Sequence, residues 1–259
     1  MTANWLTYAR RMGPAWIISA VACGPATLAS VSLAGATYGY QLLWVVILSA
    51  VFGATAQYLA ARIGVIQGRG IIAVTEAHLG RGWAWVLTID AVIATYLAAI
   101  FLMNALVGVT GLVTGLQTPW WGAAYALLIG LGLCRGGYRW LEIACKLFVG
   151  LVVICFVITA LQADISWSGV IGGMLPGLPP DVNAALMMAA IMGGAVHITI
   201  IGMHTYNTNA RGWVSSDLGL ARFDTVLSMG IAFGIYSLAI FLVAAAVLHP
   251  NQVAVKTAT

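Results

Sequence analysis

Charge is what this chain has least of. Only 7% of its 259 residues are Asp, Glu, Lys or Arg, against roughly 25% in an ordinary soluble domain. A soluble globule of this length needs a polar shell, which so few charges cannot supply. That excludes a soluble enzyme, a nucleic-acid binder and a disordered protein. Alternation of apolar and polar residues is missing too. The hydrophobic residues, 62% of the chain, run continuously, which excludes an outer-membrane barrel. Cysteine is scarce: Cys23, Cys134, Cys145 and Cys155 lie in or beside apolar runs without metal-type spacing and read as small apolar fillers. The N-terminal segment lacks a short apolar core followed by a cleavage site, so no cleavable signal peptide is expected.

What is present is a series of long uncharged stretches. Between Arg11 and Arg62 lie 50 residues without a formal charge. A spanning helix takes about 20, so this stretch holds two, divided near Tyr38-Gly39-Tyr40-Gln41. From Gly82 to Cys134 the only charge is Asp90, and Gln117-Thr118-Pro119 divides spans three and four. Span five runs from about Lys146 to Ala163, span six lies within Val182–Ala210, and span seven covers about Thr225–Leu248. The fold class expected is all-α: a polytopic transmembrane bundle of about seven spans. Residues 62–81, 164–181 and 211–224 are the longest polar connections. The last is left open between a loop and a short interfacial helix.

The basic residues fit this count. Arg10 and Arg11 precede span one. Arg62, Arg69 and Arg81 follow span two, Arg135, Arg139 and Lys146 follow span four, and Arg211 and Arg222 follow span six. Ten of the 11 basic residues therefore fall on one side, with Lys256 the exception. Cationic loops stay on the cytoplasmic side, so the expected topology has a cytoplasmic N-terminus and an external C-terminus. The setting is a plasma or bacterial inner membrane, and the lipid bilayer is the first partner. Trp83, Trp85, Trp120, Trp121 and Trp140 at span ends read as interfacial anchors.

Two spans carry interruptions. Span one contains Ala22-Cys23-Gly24-Pro25-Ala26-Thr27, where proline removes a backbone donor and clashes with the preceding turn. Span six contains Met192-Gly193-Gly194-Ala195-Val196-His197, then Thr199, Gly202 and His204. Each mid-span glycine weakens the helix by about 1 kcal/mol, and an imidazole at membrane depth tends to face a bundle interior or pathway. A simple proline kink and a core histidine are the plainer readings of each motif alone. Taken together, interrupted helices at corresponding positions of two five-helix units point to the midplane site of a secondary transporter. No nucleophile–base motif appears among Asp90, Glu76, His197 and His204, so an enzyme is not expected.

At these residues the chain resembles the NRAMP family, the natural resistance-associated macrophage proteins. They are proton-coupled importers of manganese, iron and related divalent metals. The resemblance is carried by Gly13-Pro14, Gly24-Pro25, Ala34-Gly35-Ala36, Tyr38-Gly39-Tyr40-Gln41-Leu42-Leu43-Trp44, Gln57, Ala61-Arg62-Ile63-Gly64, Gly68-Arg69, Gly137-Tyr138-Arg139-Trp140-Leu141-Glu142 and Arg222-Phe223-Asp224-Thr225. It implies a five-plus-five inverted-repeat fold. Residues 1–163 would be the first five-helix repeat and 182–248 the first two helices of the second, with the rest of the second repeat missing from this single transporter domain.

The resemblance also implies a site. Residues Gly24, Thr27, Gly194 and His197 would line it, with His197 as metal ligand. Thr199, His204, Asp90 and Tyr96 would lie behind it or on a proton pathway. The departures fall on the chemistry. The family's span-one Asp and Asn ligands are replaced by Gly24 and Thr27, and its span-six Met by His197. Its carbonyl position is Gly194 and its motif His is Thr199. The acidic pair of its third span corresponds to Tyr96 and Ala99. Imidazole is a competent ligand for late transition metals, but the site supplies no negative charge. The expectation is a transporter moving a metal cation by alternating access, with no resident cofactor. The alternatives are a same-fold transporter for magnesium or a small non-metal solute, and a transport-inactive truncated remnant.

Overall fold

A computed structural model describes residue 8 and residues 11–177 and 179–252. Within the helix spanning 120–162, the side chains of 133 and 135–139 also lie outside the described set. Arg10 and Lys256, and the side chains of Arg135, Tyr138 and Arg139, are therefore not placed.

Every element described is helical. Proline opens the first two, α1 (Pro14–Ala22) and α2 (Pro25–Tyr38), because its fixed φ suits the first helical turn, where no donor is needed. The two are bent by 48° at the break between them and together are long and apolar enough for one span. α3 (Leu43–Gln67) ends at Gly68, whose left-handed backbone (φ 59°, ψ 21°) returns an N–H to the Gly64 carbonyl, a conformation that favours glycine. α4 (Ile71–Leu79) is short. α5 (Arg81–Thr114) and α6 (Trp120–Gln162) follow, separated at the expected Gln117-Thr118-Pro119 turn. α7 (Trp167–Gly173) is another short helix. α8 (Val182–Ala195) and α9 (Ile198–Ala210) form the second interrupted span. The last, α10 (Ser215–Leu248), is one rod in which α-helical Leu218–Thr225 and Gly234–Val243 alternate with wider π-type Val226–Phe233 and Ala244–Leu248.

Seven spans were expected. Among the described residues, five helices are long and apolar enough to cross a membrane, and six if α1 and α2 count as one. The difference lies in α6. Its apolar parts, Trp120–Gly132 and Trp140–Gln162, were expected as separate spans four and five. They are continuous in one 43-residue helix, roughly 65 Å long at 1.5 Å per residue. No proline interrupts Trp120–Gln162, and Gly136 and Gly137 cost a helix only about 1 kcal/mol each. The basic stretch at 135–139 marks a change of composition and leaves the helix unbroken. The connections also hold more helix than their polarity indicates: α4 lies in 62–81, α7 in 164–181, and the first turns of α10 in 211–224.

The core is built by α1, α2, α3, α8, α9 and α10. Ile18, Val31, Leu42, Val46, Ile191, Ile200, Phe233 and Phe241 are buried in a single cluster. Lipid offers little hydrophobic drive between helices, so close approach of small residues decides the packing. A Cβ on Gly53 would meet Ala195 Cβ at 3.0 Å, and one on Gly35 would meet Ala244 Cβ at 2.8 Å. A Cβ on Gly64 would run into Thr208. α5 is peripheral, touching α4, α6, α9 and α2, and the most apolar window of its span has no buried residue.

Candidate functional site at the two helix breaks

The first break follows from local backbone chemistry. Cys23 N–H closes α1 onto Ser19 O at 2.8 Å, and Gly24 N–H reaches Val21 O at 3.1 Å. Gly24 then turns extended (φ −77°, ψ 178°). Pro25 cannot donate, so the helix restarts there rather than continuing. Thr27, in the first turn of α2, is buried.

The second break falls two residues later than the glycine pair suggests. Gly193 and Gly194 stay helical, and α8 closes with Val196 N–H on Met192 O at 2.9 Å. Val196 (φ −127°, ψ 83°) and His197 (φ −135°, ψ 152°) are the extended residues, and the His197 carbonyl accepts Ile201 N–H at 3.1 Å to open α9. A β-branched residue such as Val196 tolerates extended backbone better than helix. Gly194 serves close approach instead. A Cβ there would stand 2.6 Å from Thr27 Oγ1, so glycine is what lets the two broken spans touch.

At each break, a helix C-terminus with free carbonyls meets a helix N-terminus with free N–H groups. The first carries partial negative charge and the second partial positive charge. Gly24, Thr27, Gly194 and His197 all lie at these breaks. Gly194 and Thr27 are brought into contact, and His197, half-buried, stands in the extended residues of the second break. Leu102 of α5, which sequence reasoning did not single out, closes on the bend. Its Cδ2 would be 3.7 Å from a Cβ on Gly24.

The other candidates separate into two groups. Thr199 and His204 are on α9. His204 is fully buried, with Nδ1 3.0 Å from Gln57 Oε1 on α3. His204 Nε2, Gln57 Nε2 and Thr199 Oγ1 are buried without a hydrogen-bond partner among the described residues. Gln57 was noted only for its resemblance to the family, and its pairing with His204 was not readable from spacing. Asp90 and Tyr96 sit on α5 with exposed side chains, Tyr96 at 68%, and the structure does not bring them to the breaks. Among the described residues, no group of three or more His, Cys, Asp or Glu side chains is placed to hold a metal ion.

A polar cluster anchors the start of the first broken span. Asp224, fully buried on α10, accepts the N–H of Gly13 at 3.0 Å and of Ala15 at 2.9 Å. It thereby satisfies donors that α1 cannot pair internally. Glu142 of α6, also buried, takes Lys146 at 2.8 Å and Arg211 at 3.3 Å, and Lys146 donates to Met12 O at 2.6 Å. A Cβ on Gly13 would run into the Glu142 carboxylate. That Asp224 caps α1 emerges only from the fold.

Two interrupted spans crossing at their breaks, inside an all-α bundle, define part of a five-plus-five inverted-repeat transporter fold. A family model described as natural resistance-associated macrophage protein-like matches residues 15–259, and the chain belongs to this family. A divalent metal cation transporter, MntH, of Verminephrobacter eiseniae is 31% identical over 262 residues, covering 95% of this chain and 58% of that one. The MntH of Acidiphilium cryptum is 28% identical over 266 residues, covering 96% and 59%. Among solved structures, the manganese transporter of Eremococcus coleocola in complex with an aromatic bis-isothiourea substituted compound shares the fold. Its TM-score is 0.73 at 18% identity, covering 95% of this chain and 52% of that one. The chain spans just under six-tenths of the length of the curated relatives it matches.

Proposed function

We propose that this chain forms the substrate-binding part of a membrane transporter that moves a metal cation by alternating access, at a site lined by Gly24, Thr27, Gly194 and His197. The observation that carries this reading is the contact of the two breaks, with Gly194 against Thr27 and His197 extended beside them. Half-helix ends offer carbonyl oxygens and N–H groups at such a crossing. His197, standing at the second break, is a good ligand for late transition metals. The names of the relatives, a divalent metal cation transporter and a manganese transporter, support a metal as substrate. Residues 1–163 would then be the first repeat and 182–248 the start of the second, with the N-terminus cytoplasmic.

A second reading has its own observation. No carboxylate stands at either break, whereas a dehydrated divalent cation ordinarily needs anionic ligands to offset its lost hydration. The same fold moving a small non-metal solute, or magnesium that keeps its hydration shell, fits a site without anionic ligands. Uptake of manganese into proteoliposomes, by the chain as it stands and by His197→Ala, separates the readings. The first expects saturable uptake that falls at least tenfold in the variant. Equal uptake by both removes His197 from the mechanism. Calorimetric binding of a non-metal solute or magnesium without manganese binding selects the second reading, and no binding to any of them marks a transport-inactive chain.

A further inference from the structure

A groove away from the helix breaks combines apolar walls with one arginine. It lies between the C-terminal end of α3 and the short α4, encloses about 400 Å³, and is lined by Leu59, Arg62, Ile63 and Ile66 on one side and Val74 and His78 on the other. The α3 residues follow the spacing of one helical face, and Val74 and His78 are one turn apart on α4. The groove is therefore a seam between two helix faces.

Its polarity runs along the helix axis. Arg62 lies five residues from the end of α3, about 7.5 Å, and its side chain is long enough to bring the guanidinium to the level of that end. Leu59 is a turn deeper, and Leu59 and Ile66 are about half exposed. His78 holds Val74 O through Nδ1 at 2.9 Å, which fixes its ring at the mouth. Glu76 lines the neighbouring groove together with Arg81, and Arg62 makes no ion pair among the described residues. Arg69 and Arg81 follow in the same connection. An uncompensated cation at the helix end, above an apolar trough directed into the span, complements one class of molecule in a membrane.

We propose that this groove binds an anionic phospholipid, its phosphate on Arg62 and an acyl chain along Leu59, Ile63 and Ile66. Basic pockets between spanning helices at the membrane boundary take such headgroups. The single Arg makes the headgroup's net negative charge the discriminating feature, since zwitterionic phosphatidylcholine carries the same phosphate beside a cation, and the apolar trough selects a lipid over a free anion.

Native mass spectrometry of the full chain, released from micelles doped with phosphatidylglycerol or phosphatidylcholine, tests this. Phosphatidylglycerol should be retained over phosphatidylcholine on the order of fivefold, the advantage of about one cationic contact at a membrane surface. Arg62→Gln should remove that preference and Arg62→Lys should keep most of it. Excess inorganic phosphate should leave the bound lipid in place. Equal retention of the two lipids by the unmodified chain overturns the proposal, as does unchanged preference in Arg62→Gln or displacement by phosphate. If Arg62→Gln is not monodisperse, Ile66→Trp takes its place: it fills the trough and keeps Arg62. Loss of retention then supports the site, and unchanged retention overturns it.

Discussion

The carboxylate of Asp224 accepts the backbone N–H of Ala15 at 2.9 Å across 209 positions of sequence. With its other oxygen on Gly13 N–H, one buried side chain of the last helix caps the first half of the first broken span. This half-helix is only nine residues long, and its first backbone donors have no partner within it. Its position is therefore set by α10. Asp224→Ala leaves two buried donors unpaired and should cost about 1–3 kcal/mol. Asp224→Asn, which keeps one acceptor, should cost less. Thermal unfolding in detergent measures both, and equal losses in the two variants would show that the cap contributes nothing specific.

Gly194 and Thr27 should be energetically coupled. Gly194→Ala places a methyl group 2.6 Å from Thr27 Oγ1, an overpacking expected to cost about 1–3 kcal/mol. In a Thr27→Ala background the clash partner is gone, so the same substitution should cost at least about 0.5 kcal/mol less. The four-member cycle reads this directly, and strict additivity would separate the two breaks.

Gln57 and His204 join α3 to α9 through a buried pair. Removing one member strands the other. His204→Ala and Gln57→Ala should each cost about 1–3 kcal/mol, whereas Gln57→Leu with His204→Leu, which removes both polar groups, should lie closer to the unmodified chain than either. Comparing the three melting temperatures settles whether the pair acts as a unit.

Glu142 holds two cations, each with more than a quarter of its side-chain surface exposed. Glu142→Gln removes the charge but keeps the shape. The partial exposure of Lys146 and Arg211 lets water replace some of the lost interaction. The loss should therefore fall below the roughly 3–5 kcal/mol of a fully buried broken pair, and high salt should shrink the difference in melting temperature between the two proteins.

Asp181, in the loop before α8, accepts the backbone N–H of Asn183 at 3.1 Å and the Tyr38 hydroxyl at 2.9 Å. First the Asn183 N–H and then the Tyr38 hydroxyl hold its carboxyl below the usual aspartate value. A depressed native pKa stabilises the fold fully above the unfolded value of about 3.9, and that contribution disappears as pH falls through the native one. The melting-temperature difference between the unmodified chain and Asp181→Ala should thus be constant from neutral pH down to about 5 and vanish in stronger acid. A difference that persists undiminished there would assign the effect to packing.

Residues acting on their own neighbours were legible in sequence. Sparse charge and unbroken apolar runs determine a helical membrane protein, because lipid leaves backbone groups no other partner. Gly24-Pro25 determines the first break, because proline removes its own donor wherever it stands. Left-handed Gly115 ends α5 for similarly local reasons, and Gln117-Thr118-Pro119 carries the chain on to α6. Only the tertiary structure decided the rest. The second break moved past Gly193-Gly194 to Val196 and His197, because Gly194 is needed against Thr27 rather than as a breaker. Trp120–Gln162 stayed continuous despite its basic centre. Asp224 found α1, and Gln57 found His204, each choosing among many polar groups by position alone. Spacing along a chain fixes which face of a helix a residue occupies; which partner stands opposite depends on how the helices cross.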